Sequence, residues 1–181
     1  MSRFRQYRPE SVGEEDLDAA AEREDANFLL SVAEDPQEKS LRRYSSLMLL
    51  RLIAKKDPGS AQWFDRLVKL LEHDKTRQGA VAVLGEIPTS TKVLKVLDEQ
   101  LEQGKKNERI TVVRAFESTS DPKAEPHLAA ALSDKSSIIR WEALKAISIL
   151  DGPEAGKLIK SKRTDRNPRV ATYAMWLNWR R

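Results

Sequence analysis

An internal period near 31 residues limits this chain more than any other feature, because a repeat of that length is too short to bury its own apolar face. From Arg77, the residues three, seven and ten positions on are Ala80, Leu84 and Ile87. From Arg109 they are Val112, Phe116 and Thr119, and from Arg140 they are Ala143, Ile147 and Leu150. Upstream, Arg42 with Ser45, Leu49 and Leu52 extends the series. Downstream, Ala171 with Ala174 continues it, although the next position falls on Asn178. These offsets lie on one stripe of an α-helix. A small residue near the start of each stripe lets a neighbouring helix approach. Each such helix is followed by a turn and a second apolar helix, roughly over 62–73, 90–103, 123–132 and 154–161. Successive pairs must stack to cover one another.

Turn chemistry divides the pairs: Asp57-Pro58-Gly59-Ser60, Asp121-Pro122, Asp151-Gly152-Pro153 and Asn167-Pro168. In the last, Asn serves as cap and Pro takes the first helical position, where its missing N–H is harmless. No strand-like alternation appears. Residues 1–13 read as a flexible basic arm, and 14–181 as one repeat domain. That domain opens with an acidic helix over 14–34 that ends before Asp35-Pro36, and its repeats run over about 39–181. The acidic segment is sharply set off: residues 14–38 hold ten acids and one base, whereas residues 39–181 hold 28 bases and 17 acids. This contrast raises the expectation that the acidic helix folds over a basic strip on the second helices.

The segment Ser133-Asp134-Lys135-Ser136-Ser137-Ile138-Ile139-Arg140-Trp141-Glu142-Ala143 resembles the first-helix signature of HEAT-like repeats, in particular the short bacterial type found in phycobilisome lyases. There an Asp precedes an apolar-Arg pair, and an Ala follows three residues later. Asp165-Arg166-Asn167-Pro168-Arg169-Val170 echoes the motif, with Ala171 at the Arg position. The resemblance implies an all-α fold, a right-handed α-α superhelix (alpha solenoid) of about four to five helix pairs. It also implies a ladder between adjacent loops that uses Asp134 and Arg140, with Arg77 and Arg109 at the equivalent repeat positions. No rung is expected beyond Asp165.

Composition and motifs remove several function classes. The chain has no Cys, so thiolate metal sites, disulfides and Cys nucleophiles are absent. No uninterrupted apolar run exceeds five residues, which is too short to span a bilayer, so no membrane association is expected. The start, Met1 to Pro9, is basic and lacks an apolar core, unlike a secretory signal, and the chain is read as cytoplasmic. There is no Gly-rich phosphate loop and no nucleophile elbow. His73 and His127 lack ligand-spaced companions, so neither a metal nor another cofactor is expected and no catalytic residue is assigned.

The remaining candidates are surfaces. The polar faces of the second helices offer Lys92, Lys95, His127, Lys157 and Lys160, a basic strip interleaved with acids. Trp141 lies about 160° round its helix from Ala143, taking about 100° per residue, so it either packs on a neighbouring repeat or anchors a partner. Near the end, Tyr173, Trp176, Leu177 and Trp179 beside Arg180 and Arg181 either cap the open stack or form a docking face. The expected function is a non-enzymatic scaffold or adaptor that binds another protein. Two alternatives stand beside it: a phycobilin lyase-like chaperone, implied by the resemblance, and a nucleic-acid-binding repeat protein, motivated by the basic 39–181 region.

Overall fold

A computed structural model describes residues 14–180 of the chain, with no side-chain description for Glu14, Glu15 and Pro58; the expected arm over 1–13 lies outside the described residues. All regular structure among those residues is helical. The order is α1 (Glu14–Glu22), α2 (Ala26–Glu34), α3 (Ser40–Ala54), α4 (Phe64–Leu70), α5 (Asp74–Leu84), α6 (Thr91–Gln103), α7 (Lys106–Ser118), α8 (Glu125–Ala131), α9 (Ser137–Leu150), α10 (Ala155–Ser161) and α11 (Pro168–Arg180). Short 3₁₀ turns at Pro58–Trp63 and Pro122–Ala124 lead into α4 and α8.

Caps set these boundaries. Asp57 and Asp121 accept from the backbone N–H two residues on, at 2.7 and 2.9 Å, with Pro at the first helical position after each. Ser90 accepts from Val93 N at the start of α6, and Glu108 reaches back to Lys105 N in α7. Asn167 accepts from the N–H of Arg169 and Val170, with Pro168 opening α11. Asp151 ends α9 in the left-handed conformation, φ 47°. Gly152 follows it, and a Cβ there would lie 2.4 Å from a Glu125 carboxylate oxygen.

The odd-numbered helices stack in one layer, α1 on α3, then α5, α7, α9 and α11. The even-numbered helices form the second layer, each packed on the odd helix that follows it. Among the described residues the stack is therefore an alpha solenoid of five helix pairs followed by α11. Its core is continuous from Leu17 through Leu47, Leu84, Phe116 and Ile147 to Ala174, each at most 2% exposed. Layer spacing is close: a Cβ on Gly85, at the end of α5, would sit 2.6 Å from Ala115 Cα in α7.

Three expectations change. The acidic segment is not one helix over 14–34. The chain turns at Glu24, where φ is 56°, and restarts at Asp25, whose carboxylate accepts from Phe28 N at 3.0 Å. The two short helices form a pair in step with the rest of the stack. Consequently they do not drape over the second helices; the contact between their acids and that layer is Arg66 of α4 held by Glu34 at 2.7 Å. The repeat origin in α3 is Arg43, not Arg42. Ser46, Leu50 and Ile53 are buried at the right offsets, whereas Leu52 is 46% exposed.

Candidate functional site

Three surfaces carry the residues singled out in the sequence. The first is the loop edge preceding the odd helices. Arg140, 4% exposed at its side chain, donates through Nε and Nη2 to both carboxylate oxygens of Asp165, at 2.8 and 2.7 Å. Its Nη1 donates to the Asp134 carbonyl at 2.9 Å. Arg109 repeats the arrangement one unit earlier, with Nε and Nη2 to Asp134 at 2.9 and 3.3 Å and Nη1 to the Gly104 carbonyl at 2.8 Å. Arg77 donates to the Leu71 carbonyl at 2.8 Å and to Glu108 and Asp74. Arg43 binds only a carbonyl on this edge, that of Ala33 at 2.8 Å.

Each guanidinium thus fastens its own loop; Arg109 and Arg140 reach the next repeat through Nε and Nη2, and Arg77 through Nη1, which it shares with Asp74. Asp134 and Asp165 also accept from Ser136 N and Asn167 N, which fixes them for the incoming Arg. The pairing runs from Arg109 to Asp134 and from Arg140 to Asp165, across repeats, so Asp165 has a partner even though Ala171 follows it. The hydrogen bond from Arg140 holds the Asp165 carboxyl below its ordinary range, and Asp165 in turn raises Arg140. Such short, bidentate, mostly desolvated contacts are structural ties.

The second surface is the even-helix layer. Lys92, Lys95 and Lys160 are exposed and unpaired, while Lys157 contacts Glu154 at 3.0 Å. His127 does not join them as a free group: its Nδ1 contacts Asp98 and its ring stacks on Phe116, 5.5 Å between centroids and 12° from parallel. Among the described residues, no large apolar side chain of this layer is exposed.

The third surface is the outer face of the odd helices. Ile138, Trp141, Lys145 and Ile149 line the outside of α9, and Lys145 bonds Glu117 of α7. Trp141 meets Tyr173 of α11 with ring centroids 5.2 Å apart; Tyr173 stacks on Trp176 at 5.8 Å, and the Arg180 guanidinium lies 4.7 Å from the Trp176 ring centroid. The row is partly solvated, with Trp141 37% and Trp176 45% exposed. Trp141 therefore packs on the adjacent repeat and still presents a face to solvent. In the terminal cluster Leu177 turns inward, but Trp179 stands 82% exposed, so it does not cap the end.

Sequence reasoning missed four buried or half-buried polar groups. Arg43 was displaced by the one-residue shift in the repeat origin. Glu142 accepts from Arg114 at 2.5 Å and raises that guanidinium's pKa. Arg51 bridges Glu86 and Ser118. Glu125, 2% exposed, accepts from Glu154 N at 3.0 Å and steadies the next turn. None carries a local sequence signal, because every partner is at least 28 residues away except the Ala33 carbonyl. Among the described residues, no three His, Cys, Asp or Glu side chains converge as a metal site would require, and no helix is long and apolar enough to cross a membrane.

Comparison with known proteins agrees with this architecture. A family model described as HEAT repeats matches residues 94–176. An engineered protein of known crystal structure superimposes with a TM-score of 0.57 at 19% identity, over 83% of this chain and 76% of that one. Human deoxyhypusine hydroxylase, solved in complex with glycerol, gives 0.54 at 16% identity, over 91% of this chain and 77% of that one. At such identities the likeness speaks for the fold. No curated protein matches the chain.

Proposed function

We propose, from the premise that this is a protein of HEAT repeats, that it serves as a non-enzymatic scaffold whose partner is another protein and whose docking face is the outer surface of α9 and α11. The observation that supports this most is where exposed apolar side chains lie. Among the described residues, Ile138, Trp141, Ile149, Met175, Trp176 and Trp179 are on these two neighbouring helices, each at least 37% exposed, whereas the other exposed large apolar side chains, Leu41, Tyr44 and Leu52, are on α3 and include no Trp. A cluster of aromatic and aliphatic groups rimmed by Arg is the composition of a protein-binding hot spot.

The basic strip of the even helices is the weaker candidate. Its lysines stand among Asp65, Glu72 and Glu99, so no single-sign groove forms for a phosphate backbone, and it offers no apolar anchor. The reading is tested by cross-linking in the source cell. The cross-linked partner should be lost from a Trp141→Ser variant and retained by a variant with Lys92, Lys95 and Lys160 changed to Gln, both with unchanged helical circular dichroism. Loss in the lysine variant alone would move the site to the second layer.

A further inference from the structure

The last helix is apolar on two opposite sides. Val170, Ala174 and Leu177 are buried against α9 and α10. Met175, Trp176 and Trp179 point the other way, the centres of the two groups lying roughly 180° apart at about 100° per residue. All three of the latter are exposed, at 45, 45 and 82%. Internal odd helices differ in how much they bury: α9 buries eight of its 14 residues, Arg140 and Glu142 among them, and α7 four of 13. In α11 only three of 13 are buried. Met175, Trp176 and Trp179 thus make a second apolar stripe along α11, of the kind that an amphipathic helix covers.

Its charge narrows what can sit there. The face is bracketed by Arg169 and Arg180, 11 residues apart, or about 16 Å along the axis. Arg163, just upstream, is exposed and has no ion pair, Lys162 beside it is half-buried, and α11 contains no acid. The acid nearest to α11 in sequence, Asp165, is occupied by Arg140.

A second copy seated through the same helix in antiparallel fashion would set Arg169 against Arg180, like against like. The acidic end of a second copy has the right sign, but Leu17 and Ala20 of its α1 are buried in their own core and leave no apolar side to offer. The segment Met1–Gly13 carries three Arg and one Glu, again the wrong sign. We infer that the open face of α11 receives an acidic amphipathic helix from a partner protein, with apolar residues over Met175, Trp176 and Trp179 and carboxylates about 11 residues apart on Arg169 and Arg180. This rests on the scaffold reading and gives it a partner chemistry.

The test uses the full chain and a synthetic peptide of about 18 residues, long enough to cover α11. The peptide has a Leu stripe on a Gln/Ala background and two Glu bracketing the stripe at the same spacing as Arg169 and Arg180. Its counterpart has both Glu replaced by Lys. Titration is followed by tryptophan fluorescence, with a blue shift as Trp176 and Trp179 lose water, and by calorimetry. The Glu peptide should bind about tenfold more tightly than the Lys peptide, since two rim pairs change from attraction to repulsion. An Arg169→Glu/Arg180→Glu variant should reverse that order, and Trp179→Ala should weaken both peptides.

Absence of binding, equal affinity for both peptides, or binding of a single-stranded oligonucleotide in place of either would overturn the inference. So would a homodimer in sedimentation that Trp179→Glu dissolves. If the peptides fail while Trp141→Ser still loses the cross-linked partner, the terminal seat falls and the scaffold reading stands.

Discussion

Replacing Asp165 by Asn removes one negative charge from a pair whose side chains are 4% and 5% exposed, without changing its shape. The amide oxygen still accepts from Asn167 N, bonded to the carboxylate at 2.8 Å in the parent. What changes is Arg140: its two carboxylate contacts become at most one neutral hydrogen bond, and its charge stays desolvated. Breaking a buried pair in this way costs about 3–5 kcal/mol. The matched control is Glu34→Gln, which breaks the bidentate contact with Arg66 where the side chains are 33% and 38% exposed. Pairs in that setting are worth about 0–1 kcal/mol. With a urea slope near 2 kcal/mol/M, the first change should lower the unfolding midpoint by about 1.5–2.5 M and the second by less than about 0.5 M. Circular dichroism at increasing urea measures both. An Arg140→Met/Asp165→Leu double variant should recover most of the loss, because no charge is left without a partner. If Asp165→Asn moves the midpoint no further than Glu34→Gln, the Arg140–Asp165 pair does not tie the repeats together.

Other outcomes follow from the same structure. Gly85→Ala places a methyl 2.6 Å from Ala115 Cα, so α5 and α7 must separate, at a cost of about 1–3 kcal/mol read as a lower melting temperature. Phe116→Ala empties a fully buried site and also removes the surface on which His127 stacks; about 3–5 kcal/mol should be lost in chemical denaturation. Acid should destabilise the parent through Asp165. Its carboxyl titrates lower in the folded state than in the unfolded chain, so its contribution is complete above the ordinary Asp range near pH 4 and disappears as pH falls through the depressed folded value. Stability measured from pH 6 down to pH 2 should therefore fall less steeply in Asp165→Asn than in the parent.

The repeat architecture was legible because stacking imposes the same buried stripe on every unit. Ala80, Val112 and Ala143 recur at one offset and all are fully buried. The stripe slips by one residue in α3 for a local reason: Arg42 and Arg43 are adjacent, and only burial shows which one faces inward. The division between α1 and α2 was hidden because the turn at Glu24 uses neither Gly nor Pro; Asp25 three residues before Phe28 was its one signal. Trp141, Trp176 and Arg180 could be singled out as unusual residues. Their assembly into one row needs the stacking of α9 on α11, which brings Trp141 to Tyr173, 32 residues later. The direction of the Arg–Asp pairs was likewise invisible, since it depends on which loop lies ahead of which.

The Arg edge is uneven along the chain. Where α3 meets α5, Arg43 has a carbonyl and no carboxylate; at the next junction Arg77 reaches Glu108 at 3.3 Å; at the last two, Arg109 and Arg140 grip an Asp with two nitrogens each. On this edge the ties tighten toward the carboxyl end, while Arg51 and Glu86 hold the α3–α5 junction from elsewhere. Opening should start at the amino end and peel forward, with amide hydrogens in α2 and α3 exchanging before those in α9.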